Sequence, residues 1–179
     1  MELRILNGTP EEIAEFLRLT SGGTESDHAE ADAGAGDVLA SSTSMESMEA
    51  AAFIHERGRT AEGKARVQRY IDQIYELGGV EIVTGRSIRT KDGQTDYLMV
   101  RDGGVRRFGA VAYVKPANSG LTLRLTREDV ADLSTDCIQF REVKEGHKYV
   151  VNCPLTSDEA VEWATQLTLR ALKKVRDAD

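Results

Sequence analysis

The chain has 179 residues, 40% of them hydrophobic, which fills one ordinary core with an appendage but falls short of two full domains. No apolar run approaches the roughly 18 to 20 residues of a membrane span, and Met1 to Asn7 lacks the basic start and apolar core of a signal peptide, so no membrane association and a cytoplasmic location are expected. The net charge of −7 argues against a protein that coats nucleic acid, but residues 1–54 hold eleven acids and two bases, residues 55–116 eight acids and twelve bases, and residues 117–179 eleven acids and nine bases.

Glu2 to Leu6 reads as a short strand and Asn7-Gly8 as a turn. A helix follows, because Thr9 can cap it, Pro10 suits its first position and Glu12 completes a capping box. Ile13, Phe16 and Leu17 recur on it at i, i+3 and i+4, and about ten residues do not hold a helix in water without a surface to pack on. Residues 1–20 are therefore expected to form a strand-helix arm whose partner-binding residues are Ile13, Phe16 and Leu17; the surface they meet is the main domain, a second copy of the arm or another protein. Residues 21–49 are rich in Gly, Ser, Ala, Asp and Glu, with few large apolar residues such as Val38, Leu39 and Met45, and read as a flexible acidic linker in which His28 is solvated.

The main domain spans residues 50–179. Ala51, Phe53 and Ile54 add a short helix near its start, and from Ala61 to Leu77 the apolar residues Val67, Tyr70, Ile71 and Ile74 mark a longer helix that Gly78-Gly79 stops. Short alternating segments then predict antiparallel strands at Val80 to Thr84, Arg86 to Thr90, Tyr97 to Arg101, Arg107 to Lys115 and Leu121 to Leu125, with turns at Lys91-Asp92-Gly93, Asp102-Gly103-Gly104 and Asn118-Ser119-Gly120. Leu121, Leu123 and Leu125 face one way and Thr122 and Arg124 the other, so one sheet face is wet. Thr126 to about Leu133 predicts a short helix, and Cys137 to Lys144 with Lys148 to Cys153 a hairpin. A three-residue turn centred on Glu145 sets the two cysteines opposite one another, and a two-residue turn offsets them. Pro154, Thr156 and Glu159 open a C-terminal helix with Ala160, Trp163 or Ala164, Leu167, Ala171 and Val175 on its buried face, which makes the single Trp a core residue.

Few residues suggest chemistry. The two cysteines lack the spacing of a redox or zinc site, and the common nucleotide, metal and hydrolase motifs are missing, so no cofactor, metal or catalytic residue is expected. Glu142-Val143-Lys144 on a strand, with Asp129, Asp132 or Asp136 upstream, matches the core of metal-dependent nucleases, where two carboxylates hold a cation and a lysine helps to activate water. Glu62-Gly63-Lys64 repeats the same cheap triplet, and a solvated hairpin face explains it as well. The run from Arg106 to Tyr113 resembles the central strand signature of RNA-recognition domains at Arg106, Phe108, Gly109, Val111 and Tyr113, which implies aromatic side chains that stack bases. It departs from that signature at Arg107 and Ala110, and an ordinary strand with Phe108, Ala110 and Ala112 packed inward is the plainer account.

The basic excess of the main domain is the broader signal. Arg57, Arg59, Lys64, Arg66 and Arg69 lie in or before its first long helix, and Arg86, Arg89, Lys91, Arg101, Arg106 and Arg107 near strand ends. Gathered on one surface they would contact phosphates and release counterions; scattered, they are the charged surface of any soluble domain. From Ala61 to Val175 the element order, including the Leu121 to Leu125 strand, the late hairpin and the capped last helix, resembles small uncharacterised bacterial domains found beside or fused to restriction-type proteins. That resemblance implies an accessory, DNA-associated role, and the Ala, Gly, Arg and Asp bias fits a bacterial or phage genome.

The expected fold is α+β: an antiparallel sheet of about five to seven short strands packed by two longer helices, plus the arm on its linker. The expected function is non-enzymatic: nucleic-acid-associated or regulatory, with DNA or RNA as partner of the main domain and a protein partner or self-association through the arm. The alternative is a protein-interaction or assembly factor that binds no nucleic acid, and a metal-dependent nuclease is the remote one.

Overall fold

The computed structural model describes residues 45, 47–86, 93–104 and 109–178. The expected arm, the linker up to residue 44, and Ile13, Phe16, Leu17, Arg89, Lys91, Arg106, Arg107 and Phe108 lie outside the described residues.

Helix α1, Ser47–Arg57, starts inside the stretch that composition assigns to the linker. It is held because Ala50, Phe53 and Ile54 recur at i, i+3 and i+4 and are all buried. Met45 is anchored just before it: its N–H donates to Ile82 O at 2.7 Å and its carbonyl accepts from Tyr75 Oη at 2.9 Å. A turn through Gly58 leads into α2, Ala61–Glu76. Glycine is required there because a Cβ would stand 2.4 Å from Lys64 Cγ and 2.8 Å from Ile54 O. Thr60 caps α2 by accepting from Gly63 N at 3.1 Å, and Gly78 and Gly79, both at positive φ, end it as the sequence predicts.

Six antiparallel strands follow: β1 Val80–Arg86, β2 Gln94–Asp102, β3 Ala110–Lys115, β4 Gly120–Leu123, β5 Gln139–Phe140 and β6 Val151–Asn152, in the order β1-β2-β3-β4-β6-β5. The chain closes with α3, Asp158–Asp177. The fold is α+β as expected, with the first four strands a meander and the last hairpin laid down with its return strand against β4. Residues Ile82, Val100, Ala112, Leu123 and Val151 stand opposite one another in register, and with Leu98, Val114 and Leu121 they face the helices. Val67, Tyr70, Ile71 and Ile74 of α2 and Ala164, Leu167, Ala171 and Leu172 of α3 fill the other side of this core. Trp163 is half-buried against it, the core role expected of it. Inside, Tyr70 Oη pairs with Thr168 Oγ1 at 2.8 Å, and Thr168 in turn donates to Ala164 O at 2.8 Å, so the buried hydroxyls are satisfied. Burial pushes the Tyr70 phenol well above its ordinary range, with the Thr168 hydrogen bond acting against the rise.

Four local features differ from the sequence reading. The helix expected from Thr126 to Leu133 is a single 3₁₀ turn, Glu128–Val130; Asp129 Oδ2 accepts from Thr126 N at 2.6 Å and from Thr126 Oγ1 at 2.9 Å. α3 is capped by Ser157, which accepts from Ala160 N at 3.1 Å, one residue after the expected Thr156. The β5–β6 hairpin is shorter than expected and pairs Gln139 with Asn152 and Phe140 with Val151, so Cys153 and Cys137 are offset by one. The turn sets that register: His147 N donates to Lys144 O at 3.2 Å across Glu145 and Gly146, and Gly146 supplies the required φ of +80°. Lastly, a β-bulge between Val100 and Arg101 puts Val111 and Ala112 both in the helix-side core and turns Ala110 to the opposite face, where an unbroken strand would keep Ala110 and Ala112 together.

Candidate functional site

All three described helices pack on one face of the sheet, and the other face carries a different population of side chains. Its central row runs Val83, Met99, Tyr113, Thr122, Asn152, Gln139, each directly opposite the next on the neighbouring strand. Val83, Met99 and Ala110 form a small buried cluster of their own, with Tyr97 and Tyr113 packed against it. Tyr97 of β2, Tyr113 of β3 and Tyr149, just before β6, then meet ring to ring: Tyr97 and Tyr113 edge-to-face with centroids 5.3 Å apart, Tyr113 and Tyr149 tilted at 5.2 Å. All three are half-buried.

Tyr149 is held from three sides. Its hydroxyl donates to Ala110 O at 2.6 Å beside the bulge, its N–H donates to His147 Nδ1 at 3.1 Å, and its carbonyl accepts from Arg141 Nη1 at 3.1 Å. The Arg124 guanidinium lies 5.8 Å from the Tyr149 ring centroid, within cation-π reach. Arg101 and exposed Lys115 belong to the same face by strand alternation. Phe140 pairs with Val151 and so belongs to the helix-side register; at the sheet edge Arg127 covers its ring at 4.3 Å, and it keeps 41% of its surface exposed. The face therefore offers aromatic rings, guanidinium groups and, at Thr122, Asn152 and Gln139, neutral polar groups.

The described members of the basic set singled out in the sequence stand on both faces of the sheet. Arg57 stacks on Phe53 at 5.4 Å from its ring centroid, Arg59 is exposed in the α1–α2 turn, Lys64 lies half-buried beside Gly58, and Arg66 pairs with Glu62 at 3.5 Å one helical turn away. Arg69 joins α2 to α3 through Glu162 at 2.8 Å and Asp158 at 3.2 Å. These five stand on the helical layer, whereas Arg101 is on the opposite face across from Glu81. Arg86 is the last residue of β1.

Two carboxylates of the nuclease reading, Asp129 and Asp132, are already engaged, and Asp136 is exposed. Arg170 grips Asp132 with both Nη atoms, at 2.6 and 2.8 Å, and Lys174 meets Asp129 Oδ2 at 2.5 Å. The Arg170 bond lowers the Asp132 carboxyl to about 2; at Asp129 burial alone would raise the value, but Lys174 and Thr126 hold it below the ordinary one. Glu142 and Lys144 are exposed beyond the two paired residues of β5, and no group of three His, Cys, Asp or Glu among the described residues is placed to hold a metal. Cys153 is fully buried and its Sγ donates to Ala160 O at 3.5 Å; burial, with the nearby Cys137, pushes its thiol up to about 12, the reverse of an activated nucleophile.

The tyrosine column, Arg124 and the polar row are what sequence reading missed. Tyr97 and Tyr113 alternate with the core positions Leu98, Ala112 and Val114, so two large aromatics at wet positions were a signal in the sequence; Tyr149 joins them only through long-range pairing. The chain matches no family model, no curated protein and no solved structure. Among the described residues no helix is long and apolar enough to cross a membrane.

Proposed function

We propose that this is a non-enzymatic, nucleic-acid-associated protein that binds single-stranded DNA or RNA on the sheet face opposite the three described helices. The observation that carries the reading is the Tyr97, Tyr113, Tyr149 column with Arg124 beside it, on the face opposite the three described helices. Unpaired bases stack on aromatic rings and on guanidinium planes whatever their sequence, while Arg and Lys side chains follow the phosphates. An aromatic platform in mid-sheet is also what the likeness of Arg106 to Tyr113 to RNA-recognition domains implies, although the meander order here is a different topology. The resemblance in element order to bacterial domains beside restriction-type proteins fits an accessory DNA-associated role of the same kind. The arm carrying Ile13, Phe16 and Leu17 then recruits a partner or a second copy, and the setting is the cytoplasm of a bacterium or phage-infected cell.

The alternative, a protein-interaction or assembly factor, draws on the same face, since Tyr and Arg dominate protein hot spots, and on the eleven acids of residues 1–54, which repel nucleic acid. Salt separates the two. Fluorescence anisotropy of the full chain with a labelled single-stranded oligonucleotide should show micromolar binding that weakens with salt, with a log–log slope of about 0.7 per phosphate contacted. Tyr113→Ala should weaken it by about 1–3 kcal/mol, roughly 5- to 150-fold. No binding at low salt would overturn the nucleic-acid reading and leave the protein partner.

A further inference from the structure

Tyr149 owes its place in the aromatic column to an irregularity that a histidine completes. Leu123 of β4 stands opposite Val151 of β6, and Cys153 N donates to Leu121 O at 3.0 Å. In an unbroken antiparallel ladder the Tyr149 N–H would therefore donate to Leu125 O, and the Tyr149 ring would share the helix side with Val151. Leu125 O accepts instead from Val150 N, at 3.0 Å. One extra residue is thus inserted just before β6, which turns the Tyr149 ring to the face of Tyr113 and takes the Tyr149 N–H out of the ladder. His147 Nδ1 accepts that N–H at 3.1 Å, a side chain bonded to the amide two residues on, as asparagine is in an Asx turn. An Nδ1 that accepts carries no proton, so the imidazole proton is on Nε2 and the ring is neutral. In the imidazolium both nitrogens are donors, and this hydrogen bond is lost.

Resting on the single-strand reading above, we infer that neutral His147 is a positioning residue of the nucleic-acid face: it holds Tyr149 in the column, and its protonation releases Tyr149 and weakens single-strand binding. Lys144, Glu145 and Lys148 of its own turn surround it, with Glu142 and Arg141 on the β5 side and Arg124, beyond β4, over the Tyr149 ring. The direction of the effect is diagnostic, because a cation gained beside phosphates would by itself tighten binding.

The test is anisotropy of the full chain with labelled oligo(dT), at constant ionic strength and at about pH 7.5 and about pH 5.5, which bracket the usual histidine titration. Thymine gains no proton in this interval. Wild type should bind about three- to tenfold more weakly at the lower pH, part of the worth of one stacked base. His147→Asn accepts the same N–H without titrating, and so separates this histidine from His28 and His55. It should bind like wild type at the higher pH and keep that affinity at the lower. His147→Lys, a cation with no acceptor, should be as weak at the higher pH as wild type is at the lower. Without oligonucleotide, the Tyr149 amide resonance of wild type should shift over the same pH interval as the affinity. If oligo(dT) binds but acid and His147→Lys leave its affinity unchanged or tighten it, or if the Tyr149 amide stays still, the positioning role is wrong and the single-strand reading stands. If oligo(dT) binds at neither pH, both fall together.

Discussion

The two faces of the sheet are built on opposite principles. On the helix-covered face, rows of Ile, Leu, Val and Ala meet two long helices, and the polar groups that border this core are tied down in pairs: Tyr70 with Thr168, Asp102 with Arg176, Arg69 with Glu162, Asp132 with Arg170. On the other face a thin layer of Val83, Met99 and Ala110 supports three tyrosines, and the side chains beyond them are polar or cationic. Charge engaged in ion pairs at a helix interface stabilises the fold and is poorly placed for a ligand. Among the described residues the three large aromatics stay half-exposed on this face, in contact with one another and with apolar ring surface left for a ligand to cover.

Core substitution should separate the faces most strongly. Ile71→Ala, at a fully buried site, should cost about 2–5 kcal/mol in urea denaturation and leave oligonucleotide affinity of the folded protein unchanged. Tyr113→Ala should do the reverse, with the binding loss given above and a stability loss of only about 1–2 kcal/mol from the two ring contacts. Comparable stability losses for the two would mean that the tyrosine face is simply a second core.

Asp102 is 3% exposed and accepts from Arg176 Nε at 2.5 Å and Gly104 N at 2.8 Å, joining the end of β2 to the last turn of α3. Asp102→Ala should therefore cost about 1–3 kcal/mol by chemical denaturation, since it strands the donors that carboxylate satisfies. Thiol labelling gives a sharper local readout. Cys153, buried and with its thiol raised to about 12, should react only on global unfolding, whereas half-buried Cys137 should label in the native state; fast labelling of both would show that the β6–α3 junction opens.

Acid should weaken the helical side first. Asp129 and Asp132 titrate below their ordinary value of 3.8 when folded, so their pairs with Lys174 and Arg170 contribute above about pH 4 and are lost as pH falls toward 2. Arg170→Gln should flatten the fall of Tm between pH 4 and 2, by a small amount because the pair is solvent-screened. The smallest effect belongs to Arg66→Gln: loss of the i,i+4 pair with Glu62 should change stability by less than about 0.5 kcal/mol and oligonucleotide binding not measurably. A clear loss of binding would return the phosphate surface to the helices.

Local signals carried the two long helices. The Val67, Tyr70, Ile71, Ile74 stripe and the Gly78-Gly79 stop are short-range facts, and each is where periodicity and glycine chemistry put it. The alternation of Leu121, Leu123 and Leu125 with Thr122 and Arg124 was equally legible. What stayed open depends on distant partners or on a single inserted residue. The bulge opposite Arg101 cannot be seen in β3 alone, the hairpin register turns on whether two or three residues form the bend at Gly146, and Arg69 looks like a phosphate ligand until Glu162, 93 residues later, lies beside it. The candidate site was half-legible for the same reason: Tyr97 and Tyr113 stood at wet positions, but only strand order brings Tyr149, Asn152 and Gln139 to them.

The most direct test maps where a single strand touches. Titrating isotopically labelled protein with oligo(dT) and following amide chemical shifts should move Tyr97, Tyr113, Thr122, Tyr149 and Asn152 together while Arg59, Lys64 and Arg66 on the helical side stay still. Shifts confined to α1 and α2, with the tyrosine face unmoved, would contradict the account.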